Sequence, residues 1–188
     1  MKGLADITAV IAAKSIGMAQ PLRMALRGMG VRNIHVAVTP KQVVEAFQTS
    51  NPDVLIAIVQ APEGDEGLSL IRFIRRWEKS PNPRIPIVAA SARAEMPVVS
   101  AVLNAGGNEF LIVPASGDQL MKKITSAIQT NRPFIDGPTY VGPDRRRRQD
   151  PDYSGPERRV APHATDPQPG ETTVSEPAAP SEATEPQS

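Results

Sequence analysis

Asn51–Val59 reads NPDVLIAIV, and this stretch decides the fold. From Val54 to Val59 every residue is apolar. A strand with one wet face would alternate apolar and polar residues. A continuous apolar run of strand length instead suits a central parallel strand covered on both sides. Covering both sides takes helices before and after it, so the flanking sequence should alternate short β-type runs with helical patterns.

Working outward, it does. Upstream, Thr8–Ala13 is a short buried-type run, followed by Met18–Met29 with Leu22, Ala25, Leu26 and Met29 at helical spacing and Gly30 as a stop. Asn33–Val38 reads as the next strand. Thr39-Pro40 then supplies an N-cap and a proline at the first helical position, opening a helix through Val43, Val44 and Phe47. Downstream, Pro62–Gly67 is a loop, and Leu68–Trp77 is a helix that places Leu70, Ile71 and Ile74 on one face. Pro81-Asn82-Pro83 breaks that helix. Ile85–Ala90, Glu95–Ala105 and Glu109–Val113 follow as strand, helix and strand. Ser116 with Gln119 three residues on forms a capping box for a last helix to about Thr130. Five strands alternating with five helices predict a doubly wound α/β domain with a parallel sheet, here over residues 1–130. In such sheets ligands bind beyond the carboxyl ends of the strands.

Composition marks the boundary. Of the 20 prolines, eleven stand between Pro133 and Pro186, where aliphatic residues are few. Such a segment buries too little apolar surface to offset its ordering entropy, so residues 131–188 are predicted to form a disordered tail. The formal net charge is only +1, but six arginines fall between Tyr140 and Val160 and none beyond. The chain has no cysteine, which excludes disulfides, thiolate metal sites and thiol nucleophiles. No apolar run approaches a membrane span, and Asp6 and Thr8 interrupt the apolar start, so a cytoplasmic protein is the expectation.

The layout of residues 5–130 resembles the receiver domain of bacterial response regulators, the flavodoxin-like fold of the chemotaxis regulator. NPDVLIAIV (Asn51–Val59) is similar to the strand that ends in the phosphoaccepting aspartate. PRIPIVAASARAE (Pro83–Glu95) is similar to the fourth strand with its terminal Ser/Thr. NAGGNEFLIVPAS (Asn104–Ser116) is similar to the segment through the lysine–proline pair, and MALRGMG (Met24–Gly30) to the end of the first helix. Carried over residue by residue, the resemblance puts Ala13 and Lys14 where two carboxylates hold magnesium. It puts Ile58 at the phosphoacceptor and Val113 at the lysine before Pro114. Ser91 survives from the polar switch set, and Phe110 occupies the aromatic switch position. Aspartyl phosphorylation needs a carboxylate nucleophile and a hard cation held by oxygen ligands. Isoleucine and alanine supply neither, so no magnesium and no phosphoryl transfer are expected. Lys14 reads either as a solvated loop residue or as a charge filling the old metal pocket. Ser91 reads either as a switch hydroxyl or as a strand-end hydroxyl satisfying nearby backbone.

The tail repeats itself. Tyr140-Val-Gly-Pro-Asp-Arg-Arg146 recurs as Tyr153-Ser-Gly-Pro-Glu-Arg-Arg159, a shared Tyr-x-Gly-Pro-acid-Arg-Arg pattern. Arginine offers guanine a bidentate contact, a carboxylate suits the guanine N–H donors, and further arginines pair with phosphates. Asp144, Arg145, Arg146, Arg147, Arg148, Glu157, Arg158 and Arg159 are therefore candidates for binding cyclic di-GMP. The tail also resembles, loosely, the arginine-rich extensions of receiver-like proteins that bind this dinucleotide and act on the flagellar motor. A solvated segment that docks a partner or grazes a membrane, and non-specific nucleic-acid binding, remain alternative readings.

No enzymatic constellation is visible. His35 and His163 stand apart from any paired acid or nucleophile, Gly28 and Gly30 follow a helix rather than a strand, and Gly106-Gly107 reads as a turn. Two functions are left. One is a constitutive interaction module whose face from the fourth to the fifth helix, with Phe110 and Ser91 at its base, docks a histidine kinase, a response regulator or a motor component. The other is a second-messenger effector.

Overall fold

A computed structural model describes residues 4–129 and 132–145. After a 3₁₀ turn (Leu4–Asp6), strands and helices alternate as the sequence predicts. In order they are β1 (Thr8–Ala12), α1 (Ile16–Gly28), β2 (Asn33–Ala37), α2 (Pro40–Ser50), β3 (Val54–Ile58), α3 (Glu66–Arg76), β4 (Ile87–Ser91), α4 (Met96–Ala105), β5 (Glu109–Ile112) and α5 (Gly117–Gln129). The sheet order is β2-β1-β3-β4-β5, and every pairing is parallel. β3 is central, and Val54, Leu55, Ile56 and Ala57 are all fully buried, which is what its unbroken apolar run requires.

Successive strand residues feed two cores on opposite faces of the sheet. Ala9, Ile11, Ile56 and Val88 pack under α1 and α5 through Leu22, Leu26, Leu120 and Ile124. Val10, Leu55, Ala57 and Ile87 pack under α2, α3 and α4 through Val43, Phe47, Leu68, Ile71, Val98 and Val102. Local chemistry sets the helix starts. Thr39 accepts the Gln42 amide at 3.3 Å while Gln42 Oε1 accepts the Val38 amide at 2.8 Å, a reciprocal cap. Ser116 and Gln119 close the same motif at α5, at 3.2 and 3.0 Å.

At the end of the sheet remote from the strand carboxyl termini sits a buried cation. Arg75 of α3 is 3% exposed. Its guanidinium donates to Gly106 O (2.9 Å), Pro83 O (2.5 Å), Ile85 O (2.8 Å) and Asn108 Oδ1 (2.8 Å). One side chain thereby ties α3 to the loops that enter β4 and β5. Burial lowers its pKa to about 10, so it remains a cation near neutrality.

The expected boundary at residue 131 is corrected. β6 (Phe134–Asp136) and β7 (Val141–Pro143) form an antiparallel hairpin, with Phe134 opposite Pro143 and Asp136 opposite Val141. The hairpin belongs to the same compact unit as the sheet. Tyr140 is buried, and Phe134 lies under the guanidinium groups of Arg75 and Arg84, at 5.6 and 5.2 Å from its ring centre. The proline-rich composition concealed this because two aromatic plugs, not a periodic apolar face, hold the segment. The remainder of the predicted tail lies outside the described residues.

Candidate functional site

The strand carboxyl ends open into a cleft of about 710 Å³ between the loops that follow β1, β2 and β3. Parallel register sets its floor: Ala12 pairs with Ala37 and Ala57, and Ile58 with Ala90. Ala12, Ala13, Lys14 and Ile58 all line it, joined by Met18, Val43 and Phe73. Whichever two of Ala12, Ala13 and Lys14 occupy the places of paired acids, neither is a carboxylate.

Two acids do stand nearby, and both are engaged. Asp65 is the N-cap of α3; its Oδ1 accepts the Gly67 and Leu68 amides at 2.8 and 3.1 Å, and its Oδ2 accepts the Gln60 amide at 2.9 Å. Glu66 faces solvent and lies 3.6 Å from Lys14 Nζ, with both side chains more than half exposed. Lys14 is thus a solvated residue at the rim, in a pair that adds little stability. The helix begins two residues before the predicted Leu68 because Asp65 caps it, a signal masked by the Pro62–Gly67 loop reading. Gly67 is required there, since a Cβ would lie 2.2 Å from Ile58 O.

Receiver chemistry implies a divalent cation in this cleft, and the donors do not fit one. A hard cation takes several oxygen ligands at 2.0–2.6 Å. Here methyl groups line the floor, and the one carboxylate drawn inward spends both oxygens on backbone amides. Among the described residues no group of three His, Cys, Asp or Glu side chains converges on a metal position.

Ser91 is fully buried, and its Oγ accepts the Arg93 amide at 3.1 Å, which is the strand-end backbone role. Val113 donates its amide to Ser91 O at 2.9 Å and precedes Pro114 through a cis peptide bond. Phe110 is half-buried against the core face shared by α3 and α4. His35 is exposed on the edge strand β2.

Of the tail candidates, Asp144 and Arg145 fall in the described residues, and the structure assigns their motif a local task. The Tyr140 hydroxyl donates to Pro143 O at 2.7 Å. Arg145 lies over the Tyr140 ring, 4.0 Å from its centre, and donates to Asn104 Oδ1 at 2.6 Å. The Asp144 amide donates to Pro133 O at 2.8 Å, and Arg76 donates to Thr139 O at 2.7 Å. Gly142 passes 2.8 Å from Gly106 Cα at its would-be Cβ position, so only glycine fits. Burial raises the Tyr140 pKa against the opposing pull of Arg145. Arg146, Arg147, Arg148, Glu157, Arg158 and Arg159 lie outside the described residues.

Sequence reading also missed a buried carboxylate, Glu109 at the start of β5. It accepts from Lys123 (2.9 Å) and Ser126 (3.0 Å) of α5 and from Arg132 (3.3 Å), fixing the point where the chain leaves the sheet domain.

Known proteins place this architecture. The chain is 32% identical over 108 residues to the KDP operon transcriptional regulatory protein KdpE of Escherichia coli K12, covering 57% of this chain and 45% of that protein. It is 30% identical over 83 residues to the two-component response regulator-like APRR1 of Arabidopsis thaliana, covering 43% of this chain and 13% of that one. The chain therefore spans less than half the length of these curated relatives. Among solved structures, the chemotaxis response regulator CheY4 of Vibrio cholerae superposes with a TM-score of 0.52 at 20% identity, over 64% of this chain and 98% of that one. The receiver domain of the Francisella response regulator 1452 gives 0.53 at 23%, over 65% and 97%. A family model described as the response regulator receiver domain matches residues 10–125. With the sheet order, the cleft at the strand ends and this match in agreement, the chain belongs to the response regulator receiver domain family.

Proposed function

We propose that this receiver signals by protein contact without passing through an aspartyl phosphate. The observation that carries the reading is the cleft floor of Ala12, Ala13 and Ile58, where phosphoryl transfer needs a nucleophile and metal ligands. A non-enzymatic, cytoplasmic adaptor in a phosphorelay or motility pathway follows, docking a histidine kinase, another response regulator or a motor component. Its docking face is the one formed by α4, β5 and α5. Met96, Ile112 and Ile128 on those elements are 72%, 53% and 40% exposed and offer apolar contacts to a partner. Magnesium and beryllofluoride, added to the full chain, test the reading through amide chemical shifts. Unchanged shifts at Ile58 and Ser91 support it; shifts that saturate with beryllofluoride overturn it.

The alternative reading, a cyclic di-GMP effector, has to draw on Arg146, Arg147, Arg148, Glu157, Arg158 and Arg159. Tyr140 is buried, and Arg145 is engaged with Tyr140 and Asn104. Calorimetry on the full chain separates the two: saturable heat at micromolar dinucleotide favours the effector, and its absence removes it.

A further inference from the structure

The strand-end cleft has apolar side chains where a phosphoryl site needs acids, yet it stands open. Its volume of about 710 Å³ lies in the range of clefts that hold small organic molecules, roughly 300–1,000 Å³. Ala13, Ile58, Met18 and Phe73 all face it. Apolar surface left open to water is unfavourable, but the loop beyond β3 does not fall in to cover it. Asp65 ties that loop down through the backbone amides of Gln60, Gly67 and Leu68. Gly67 packs against Ile58 O with no room for a Cβ. The rim is therefore held, and a preformed cleft lowers the ordering cost of binding. The charges around it are already engaged. Lys14 Nζ and Glu66 stand 3.6 Å apart, and both Asp65 oxygens accept backbone amides. Among the described residues that line the cleft, these three are the charged ones.

We propose that this cleft binds an uncharged, ring-bearing hydrophobic small molecule, its rings against Ala13, Ile58 and Phe73 and a single polar atom at the lip beside Gln60. A charged ligand is disfavoured on two counts. It would surrender its hydration against a floor of methyl groups, and an anion would have to part Lys14 from Glu66 to gain one solvated cation. An uncharged ligand meets no unpaired charge on entering. Met18 and Phe73 favour rings over a plain aliphatic chain, because a thioether and an aromatic edge both make favourable contacts with a π-face. Gln60 and Ser69 are exposed at the lip and can donate to or accept from one polar atom of the ligand. The inference rests on the reading of the cleft as inert to phosphate, since a metal and a phosphoryl group would fill the same space with charge.

Phenylnaphthylamine is an uncharged hydrophobe of this class, and anilinonaphthalene sulfonate adds one negative charge to the same rings. Each is titrated into the isotopically labelled full chain and followed through amide chemical shifts. Micromolar phenylnaphthylamine should give saturable shifts at Ala13, Ile58 and Gly67, and the sulfonate should bind at those amides at least ten-fold more weakly. Ala61 is half-buried in the loop that lines the cleft, so Ala61→Phe fills the space. Ile58→Asp sets a charge on the floor. Each change should weaken phenylnaphthylamine ten-fold or more, with far-UV circular dichroism checking the fold; if Ile58→Asp does not fold, Ala61→Phe decides. The proposal is overturned by any of four results: no saturable shift at the cleft amides, the largest shifts at Met96 and Ile112 instead, equal binding of the sulfonate, or undiminished binding by a folded Ala61→Phe chain. Intact mass after acetyl phosphate and magnesium tells the two readings apart. A phosphoryl gain sinks the phosphate-free reading, whereas an unchanged mass with any of those four results sinks the ligand site alone.

Discussion

Replacing Arg75 with methionine isolates what the buried guanidinium does, because methionine keeps most of the apolar stem and removes every donor. Three acceptors lose their partner, Gly106 O, Pro83 O and Ile85 O, while Asn108 Oδ1 keeps the Ile87 amide at 2.9 Å. At about 1.5 kcal/mol for each acceptor left unmade in a buried site, the loss is about 4–5 kcal/mol. Against it stands relief of the cation's desolvation. The pKa lowered to about 10 corresponds to about 3 kcal/mol at about 1.4 kcal/mol per pH unit. The net expectation is a destabilisation of about 1.5 kcal/mol, which for a domain of this size lowers Tm by roughly 5 °C. Urea titration of the full chain, followed by far-UV circular dichroism and by Trp77 fluorescence, measures it. Trp77 stacks on Phe73 at 4.9 Å and caps α3 two residues from the site, so it also reports local loosening. Arg75→Lys falls between the two, since an ammonium cannot span both loops with one planar fork. An Arg75→Met chain within about 0.5 kcal/mol of the unaltered protein would refute the reasoning, because the contacts would then merely balance the buried charge.

Other predictions follow from the same end of the molecule. Gly106 has φ +101°, and a Cβ there would lie 2.6 Å from Val141 O and 2.9 Å from Arg75 Cγ. Gly106→Ala should cost about 2–3 kcal/mol and expose Tyr140, read by tyrosine fluorescence quenching. Folding raises the Tyr140 pKa above its ordinary value of 10.0. The stability this confers is complete below that value and is lost as pH rises through the folded-state pKa. Alkaline titration by absorbance should therefore show one tyrosine of the folded chain ionising above pH 10.0, lost in a Tyr140→Phe chain, with the hairpin released as it ionises; a Tyr140 titration at or below that value would contradict this. Glu109→Ala leaves Lys123 and Arg132 facing a buried vacancy. A loss of about 3 kcal/mol is expected in thermal unfolding, with α5 the element whose amides lose hydrogen-exchange protection.

Much of the domain was legible because its signals are periodic. The unbroken apolar run of β3, the caps at Thr39 and Ser116 and the alternation of elements all act within a few residues. Helix starts were read late where a cap lay inside an apparent loop, as at Asp65. Of the candidate site, the positions were legible: Ala13, Lys14 and Ile58, placed by the resemblance at the strand ends, do line the cleft there. The hairpin was not legible, because its stability is non-local. Tyr140 and Phe134 are single plugs whose sockets, Gly106, Arg75 and Arg84, lie tens of residues upstream. A motif of aromatic, acid and arginine reads equally well as a ligand site or as a docking element until the socket is seen. The same non-locality hid Arg75 and Glu109, whose partners come from other elements.

The docking-module reading rests on the inertness of the strand-end cleft, and intact mass reads that inertness directly. The full chain is incubated with magnesium and acetyl phosphate, and separately with an autophosphorylated histidine kinase, then weighed. An unchanged mass in both is the expected result. A hydroxylamine-labile gain of one phosphoryl group, with its loss mapped to the residues around Ile58, would contradict the account.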